Sequence, residues 1–247
     1  SSTAGRRGKG ASGTPDLLVK AVQPRKRISG DNHDGCVICD LTAGFGQDSL
    51  ILAMNGAKHV HMVERHPVVF ALLEDALRRL DLIATSILPE NSTGDAKEQH
   101  ERAKFLVGKL SLSKADSKEW LSKQRRTDGL NSIGEENIVV YLDPMFPSRQ
   151  KSAAVKKGMA ILHDVLETQT SLNASKAIDL DESKQQEELE LLLSALDAAD
   201  TRVVVKRPVK APLLGTSQRN ETVVPPQPSH SIHGSVSRWD VYVKAAR

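Results

Sequence analysis

The chain has 247 residues, of which 39% are hydrophobic and 26% charged, with a formal net charge of +3. That supports one large α/β domain with its own core and excludes a chain too polar to fold. No apolar run is long enough to span a bilayer and no secretory signal pattern is present, so a membrane-spanning helix is not expected.

Residues 1–14 are mostly Ser, Gly, Ala and basic side chains, and bury no core of their own. A short helix with an acidic start is expected over 16–22, followed by a polar connection over 23–35. The chain therefore divides into a basic Gly/Ser-rich leading segment with its short helix, 1–30, and a main domain, 31–247. Strand one, 36–40, carries Cys36 and Cys39. With no second cysteine pair they make no zinc site, and no metal is expected. On a strand they point to opposite faces, as small buried hydrophobes in a reducing compartment.

The turn Leu41-Thr42-Ala43-Gly44-Phe45-Gly46 follows, and a helix leaves it and ends near Gly56. Gly44 and Gly46 remove side chains where backbone must approach a ligand. The N–H groups of the helix start then face that ligand, and Asp40 at the strand end can accept from it. A nucleotide-like cofactor fits such a turn. Strand two, 59–63, ends in Glu64-Arg65, and Pro67 opens a helix that runs to about Leu80. A carboxylate closing the second strand suits the two hydroxyls of a ribose.

Residues 84–102 read as a polar surface excursion. Strand three is expected near 109–115, and Asp116-Ser117 start a helix through Trp120 and Leu121. Residues 128–136 are a loop, and strand four, 137–142, is nearly all apolar, as a central parallel strand is. Helices follow over 153–166 and 180–199, the second with Leu189, Leu192, Leu193 and Leu196 on one core-facing stripe. Strand five covers 201–206, 213–230 is Pro-rich and irregular, and 237–244 alternates like a final strand, antiparallel at the sheet edge.

Charge is unevenly spread. Basic residues crowd the first 27 positions and the stretch after Arg202, whereas 179–200 is acidic. That admits a polyanion such as nucleic acid, although solvated surface charge gives the same pattern.

Asp143-Pro144-Met145-Phe146-Pro147 closes strand four, across the switch point from the glycine turn. An exocyclic base amine is a poor nucleophile, because its lone pair is delocalised into the ring. Asp143 can accept its hydrogens and favour developing positive charge. The Pro144 carbonyl can take a second hydrogen, and Phe146 can stack on an extruded base. This is the chemistry of the (Asp/Asn)-Pro-Pro-(Tyr/Phe) loop of amino-methyltransferases, with Met145 in place of the second proline.

Four strings, D-L-T-A-G-F-G-Q-D, V-E-R-H-P-V-V-F-A-L-L-E-D-A-L, Y-L-D-P-M-F-P-S-R-Q-K-S-A-A-V-K-K and R-V-V-V-K-R-P, together resemble the RsmJ family over residues 6–242. Its members are small-subunit (16S-type) ribosomal RNA guanine-N2 methyltransferases that use S-adenosylmethionine. The resemblance implies a class I methyltransferase fold, Rossmann-like, with a seven-stranded mostly parallel sheet and helices on both faces. It implies cofactor contacts from Gln47, Asp48, Glu64, Arg65, Asp116, Ser117 and Asp143, beside Asp40, Gly44 and Gly46 of the turn read above, with Glu64 on the ribose and Asp116 at the adenine edge. Asp143, Pro144 and Phe146 would serve the target amine. Arg7, Lys9, Lys151, Lys156, Lys157, Lys206 and Arg207 would flank the mouth and meet RNA phosphates. Family members usually carry Arg or Lys where Gln47 stands, keep a fuller basic Gly-rich segment than Arg7-Gly8-Lys9-Gly10, and have an amino-terminal portion without a counterpart here.

The implied partner is ribosomal RNA or the small ribosomal subunit, in the cytoplasm or another reducing compartment that holds ribosomes; the oligomeric state is open, with a monomer favoured. An adenine-N6 or small-molecule methyltransferase on the same fold is an alternative, because fold does not fix substrate. A non-catalytic RNA-binding or assembly protein with a degenerate cofactor site is another. A nicotinamide-dependent dehydrogenase is disfavoured, since Ser49 stands where its fingerprint wants a third glycine.

Overall fold

The computed structural model describes residues 14–23, 35–126, 138–144, 177–216 and 224–244. In chain order its elements are α1 (Thr14–Val22), β1 (Val37–Asp40), α2 (Gln47–Met54), β2 (His59–Glu64), α3 (Pro67–Thr85), α4 (Gly94–Val107) and β3 (Leu110–Lys114), then α5 (Ser117–Arg126), β4 (Ile138–Leu142), α6 (Ala177–Ala198), β5 (Arg202–Pro208), β6 (His230–His233) and β7 (Ser237–Val243). The strands form one sheet in the order β3-β2-β1-β4-β5-β7-β6. β1 to β5 pair in parallel, and β7 runs antiparallel to both β5 and β6. This is the seven-stranded, mostly parallel sheet that the resemblance implies.

Side-chain alternation along the strands builds two cores. Ile38, Val60, Met62, Val139, Tyr141 and Val204 face one side, where Leu18, Ala21 and Val22 of α1, Leu52 of α2 and Leu73 of α3 cover them. Val37, Cys39, Ile138, Val140, Leu142 and Val203 face the other, under Trp120 of α5 and Leu192 and Ala195 of α6. Cys36 and Cys39 fall in different cores, both as buried free thiols. Burial pushes the Cys39 thiol up to about 12, so it stays protonated and inert. All five β4 residues are buried, the doubly covered state that their apolar run demands. No helix among the described residues is long and apolar enough to cross a membrane.

Several sequence expectations change. The polar excursion over 84–102 is largely helical: α3 continues to Thr85, and α4 follows, capped by Thr93, whose hydroxyl accepts from the Ala96 N–H at 3.3 Å. α4 is polar because it buries only His100, Ala103 and Leu106, so no broad apolar stripe announces it. On α6, Leu189 and Leu192 are buried, but Leu193 is 48% exposed; Ala195 completes the packed face. The strand over 237–243 is antiparallel but not at the edge, since β6 lies outside it. The helix expected over 153–166 lies outside the described residues.

Candidate active site at the β1–β4 switch point

β1 pairs with β2 on one side and β4 on the other, so the chain leaves it in both directions. The carboxyl ends of β1 and β4 therefore frame the crevice where α/β sheets bind ligands. The glycine turn after β1 and Asp143-Pro144 after β4 meet there. They are laced together: the Leu41 N–H donates to the Tyr141 carbonyl at 3.1 Å, and the Asp143 N–H donates to Thr42 Oγ1 at 2.6 Å.

Both turn glycines adopt left-handed conformations, with φ +52° at Gly44 and +69° at Gly46. Gly46 caps α2 without a side-chain bond, which leaves the positive end of that helix open to a polar or anionic group. Asp40, expected to meet a ligand, is turned inward and only 2% exposed. Its Oδ1 accepts from the Thr42 N–H at 3.2 Å and its Oδ2 from Ser49 Oγ at 2.5 Å. Burial pushes its carboxyl up to about 7, against the opposing pull of those two donors. Asp40 thus stitches the turn to α2, and Ser49, where a dinucleotide fingerprint has glycine, is its partner.

Glu64 closes β2 as expected and does more than offer a carboxylate. Its Oε2 accepts from the Gly44 N–H at 2.9 Å and its Oε1 from the His66 N–H at 2.7 Å, so it fixes the glycine turn against β2. Arg65 is largely exposed, 3.7 Å from the Asp116 carboxylate, a loose pair. Asp116 caps α5 by accepting the Lys118 N–H at 2.9 Å, and Ser117 donates to the Leu41 carbonyl. Gln47 is exposed at the first position of α2. The expected cofactor residues thus converge on the turn from α2, β2 and α5.

Three further groups complete the centre. Lys206, at the end of β5, donates to Asp48 Oδ2 at 2.7 Å and to Asp143 Oδ2 at 2.9 Å. The Tyr141 hydroxyl donates to the same Asp48 oxygen at 2.6 Å. Burial raises the Asp143 carboxyl above the usual range, and the Lys206 ammonium is the largest influence pulling it back. Burial works to lower the Lys206 pKa, but Asp143 and Asp48 together raise it, so the ammonium stays charged.

Two residues expected on RNA phosphates are therefore committed inside the protein. Lys206 holds two carboxylates, and Arg207, 4% exposed, donates to the Pro212 carbonyl at 3.1 Å and stands 3.7 Å from Glu188. Arg7, Lys9, Phe146, Lys151, Lys156 and Lys157 lie outside the described residues. Thr42, Ser49 and Tyr141 escaped the sequence reading. Tyr141 and Lys206 meet Asp48 only through strand register, whereas Ser49 could have been found as the hydroxyl one helical turn past Gly46.

The family described as "Putative SAM-dependent methyltransferase" matches residues 1–244. A ribosomal RNA small subunit methyltransferase J from Shewanella piezotolerans is 37% identical over 234 residues, covering 95% of this chain and 67% of that protein. One from Photobacterium profundum is 35% identical over 246 residues, covering 100% and 76%. One from Marinobacter nauticus is 33% identical, covering 93% and 63%. The chain thus spans about two thirds of the length of these relatives. The crystal structure of a SAM-dependent methyltransferase from Neisseria gonorrhoeae matches with 26% identity and a TM-score of 0.52, covering 96% of this chain and 75% of that one.

Proposed function

The chain belongs to the RsmJ family of ribosomal RNA small-subunit methyltransferases, a family of S-adenosylmethionine-dependent enzymes, and from that premise we propose that it methylates the exocyclic N2 amine of a guanosine in small-subunit ribosomal RNA. One observation carries the reading: the Asp143 carboxylate stands at the end of the most buried strand, beside the glycine turn, with its backbone fixed by Thr42.

The residues present fit the cofactor. Among the described residues, a Cβ at Gly44 would meet no heavy atom nearer than the Thr42 carbonyl at 3.9 Å, which leaves room there for a ligand to approach the backbone. Next to Glu64, neither buried ring nitrogen of His66 has a hydrogen-bond partner among the described residues. The Gly44–Gly46 turn with Gln47 and Asp48, Glu64 with Arg65, and Asp116 with Ser117 would hold the cofactor, Glu64 at the ribose and Asp116 at the adenine edge. When bound, S-adenosylmethionine supplies a sulfonium-activated methyl group that an amine takes directly, so neither buried cysteine is needed as a nucleophile.

Asp143 accepts a hydrogen bond from the target amine, stabilises the positive charge that grows on nitrogen, and is placed to take the proton that the methylated nitrogen sheds. The Pro144 carbonyl takes the other hydrogen. Phe146 stacks on the guanine after it leaves its helix, which offsets the unstacking cost by about 1–3 kcal/mol. Arg7, Lys9, Lys151, Lys156 and Lys157 meet the RNA backbone. The test uses small-subunit RNA from cells lacking the protein, incubated with the chain and S-adenosylmethionine and mapped by mass spectrometry. N2-methylguanosine is expected; methylation at adenine N6, or none, would overturn the reading.

A further inference from the structure

We propose that Lys206 is a positioning residue for this reaction: its ammonium clamps Asp143 to Asp48 and so fixes the orientation and the negative charge of the carboxylate that receives the target amine. The inference rests on Asp143 having that role. It arises from register. Leu142 of β4 pairs with Val205 of β5, so Asp143 and Lys206, which stays in the sheet opposite Trp239, stand side by side just past the last β4–β5 pair. Val203, Val204 and Val205 are buried, which anchors the lysine stem on rigid backbone.

The side chains of Lys206 and Asp48 are about four-fifths covered, at 21% and 19% exposure, while Asp143 keeps 37%. One ammonium thus serves two carboxylates on different elements, and Asp143 is the more open of the two. Lys206 takes Asp143 Oδ2. Among the described residues no hydrogen bond to its other oxygen, Oδ1, is found, and the proposal gives that atom to the amine.

Asp143 is surrounded by charge. Asp48 on α2, Asp40 on β1, Tyr141 on β4, and Lys206 and Arg207 on β5 all act on it or on its immediate partners. Without Lys206, two nearby carboxylates lose their shared cation, and one of them takes up a proton more readily. A protonated Asp143 donates where it must accept. The same clamp ties α2, at the cofactor turn, to the loop that meets the target, so both reactants are placed from one point.

The test is single-turnover methylation of ribosomal RNA across about pH 5 to 9 at saturating cofactor, with Lys206→Met, Lys206→Gln and Lys206→Arg beside the wild type. The neutral variants should lose about tenfold or more in rate near neutrality, and the acid limb of the profile should move up by about one pH unit. Their RNA affinity should hold within about twofold, and Lys206→Arg should restore both rate and limb. Lys206→Gln gives the same readout should Lys206→Met fail to fold. A uniform loss at every pH would mean a merely structural lysine, and weaker RNA binding with an unmoved limb would mean a phosphate contact; either overturns the inference. Asp143→Ala separates the two readings. If it retains full activity, the amine-acceptor role falls; if it is inactive while the Lys206 variants match wild type, only the clamp falls.

Discussion

Thr42 and Asp143, 101 positions apart in sequence, are joined by a 2.6 Å hydrogen bond from the Asp143 N–H to Thr42 Oγ1. That hydroxyl, with the Leu41–Tyr141 backbone bond, ties the glycine turn to the loop after β4. Thr42→Val keeps the shape and removes the acceptor. It should cost about 1 kcal/mol of stability in urea melts. Single-turnover rates should fall more than S-adenosylmethionine affinity, because the bond orients Asp143 and not the ribose side of the crevice. Equal losses in both would place Thr42 on the cofactor instead.

Glu64 uses both oxygens on backbone N–H groups, of Gly44 and His66, while facing the region assigned to the ribose. Glu64→Gln puts an NH2 donor against one of those N–H groups. Glu64→Ala removes both bonds. S-adenosylmethionine binding by calorimetry should weaken by about 1–3 kcal/mol in the alanine variant, with a smaller loss in the glutamine variant. Affinity unchanged in Glu64→Ala would move the ribose elsewhere.

Gly44 and Gly46 share positive φ but differ in surroundings. A Cβ at Gly46 would stand 2.9 Å from Leu73 Cδ2 and 3.3 Å from Met62 Sδ, whereas one at Gly44 meets, among the described residues, only the Thr42 carbonyl at 3.9 Å. Gly46→Ala should therefore lose about 2–4 kcal/mol, from left-handed strain plus crowding of the core. Gly44→Ala should lose about 1–2 kcal/mol from strain alone, yet it should impair cofactor binding more, since its methyl projects where backbone meets ligand. Thermal melts with and without S-adenosylmethionine separate the two effects.

Asp40 gives a pH prediction. Burial raises its carboxyl to about 7 in the folded protein, from about 4 in an unfolded chain. Between those values the folded state binds more protons than the unfolded one, so stability falls as pH rises through the window and levels off above it. Asn at this position can still accept from the Thr42 N–H and can donate to Ser49, without a charge to bury. The stability of Asp40→Asn relative to wild type should therefore climb from about pH 4 to about pH 7. Parallel curves would show that Asp40 titrates normally.

The parts legible in the sequence were those written in local pattern. The Cys36–Gly46 stretch, Glu64 at the end of β2 and the apolar β4 needed only uninterrupted apolar runs, two glycines and a strand-end carboxylate. α4 was illegible because its charged exterior outweighs its three buried residues. β6, His-Ser-Ile-His, has no buried residue and exists through pairing with β7. Lys206 looked like a surface cation beside Arg207. Its partners lie 158 and 63 positions away, and only strand order brings them together.

That strand order also bears on how the protein is made. β7 sits between β5 and β6, and supplies Trp239 and Val241 to one core and Tyr242 to the other. A ribosome-bound chain that has reached only β6 has therefore made every strand of the parallel half-sheet while one edge of β5 is still without its β7 partner. The segment that closes it is the last described strand to be synthesised. Until then the apolar row Val203-Val204-Val205 has an unpaired backbone edge, open to pairing with other chains. A chain interrupted before Ser237 should thus be drawn to chaperones or into aggregates, although every residue proposed to contact cofactor or target base has already been made.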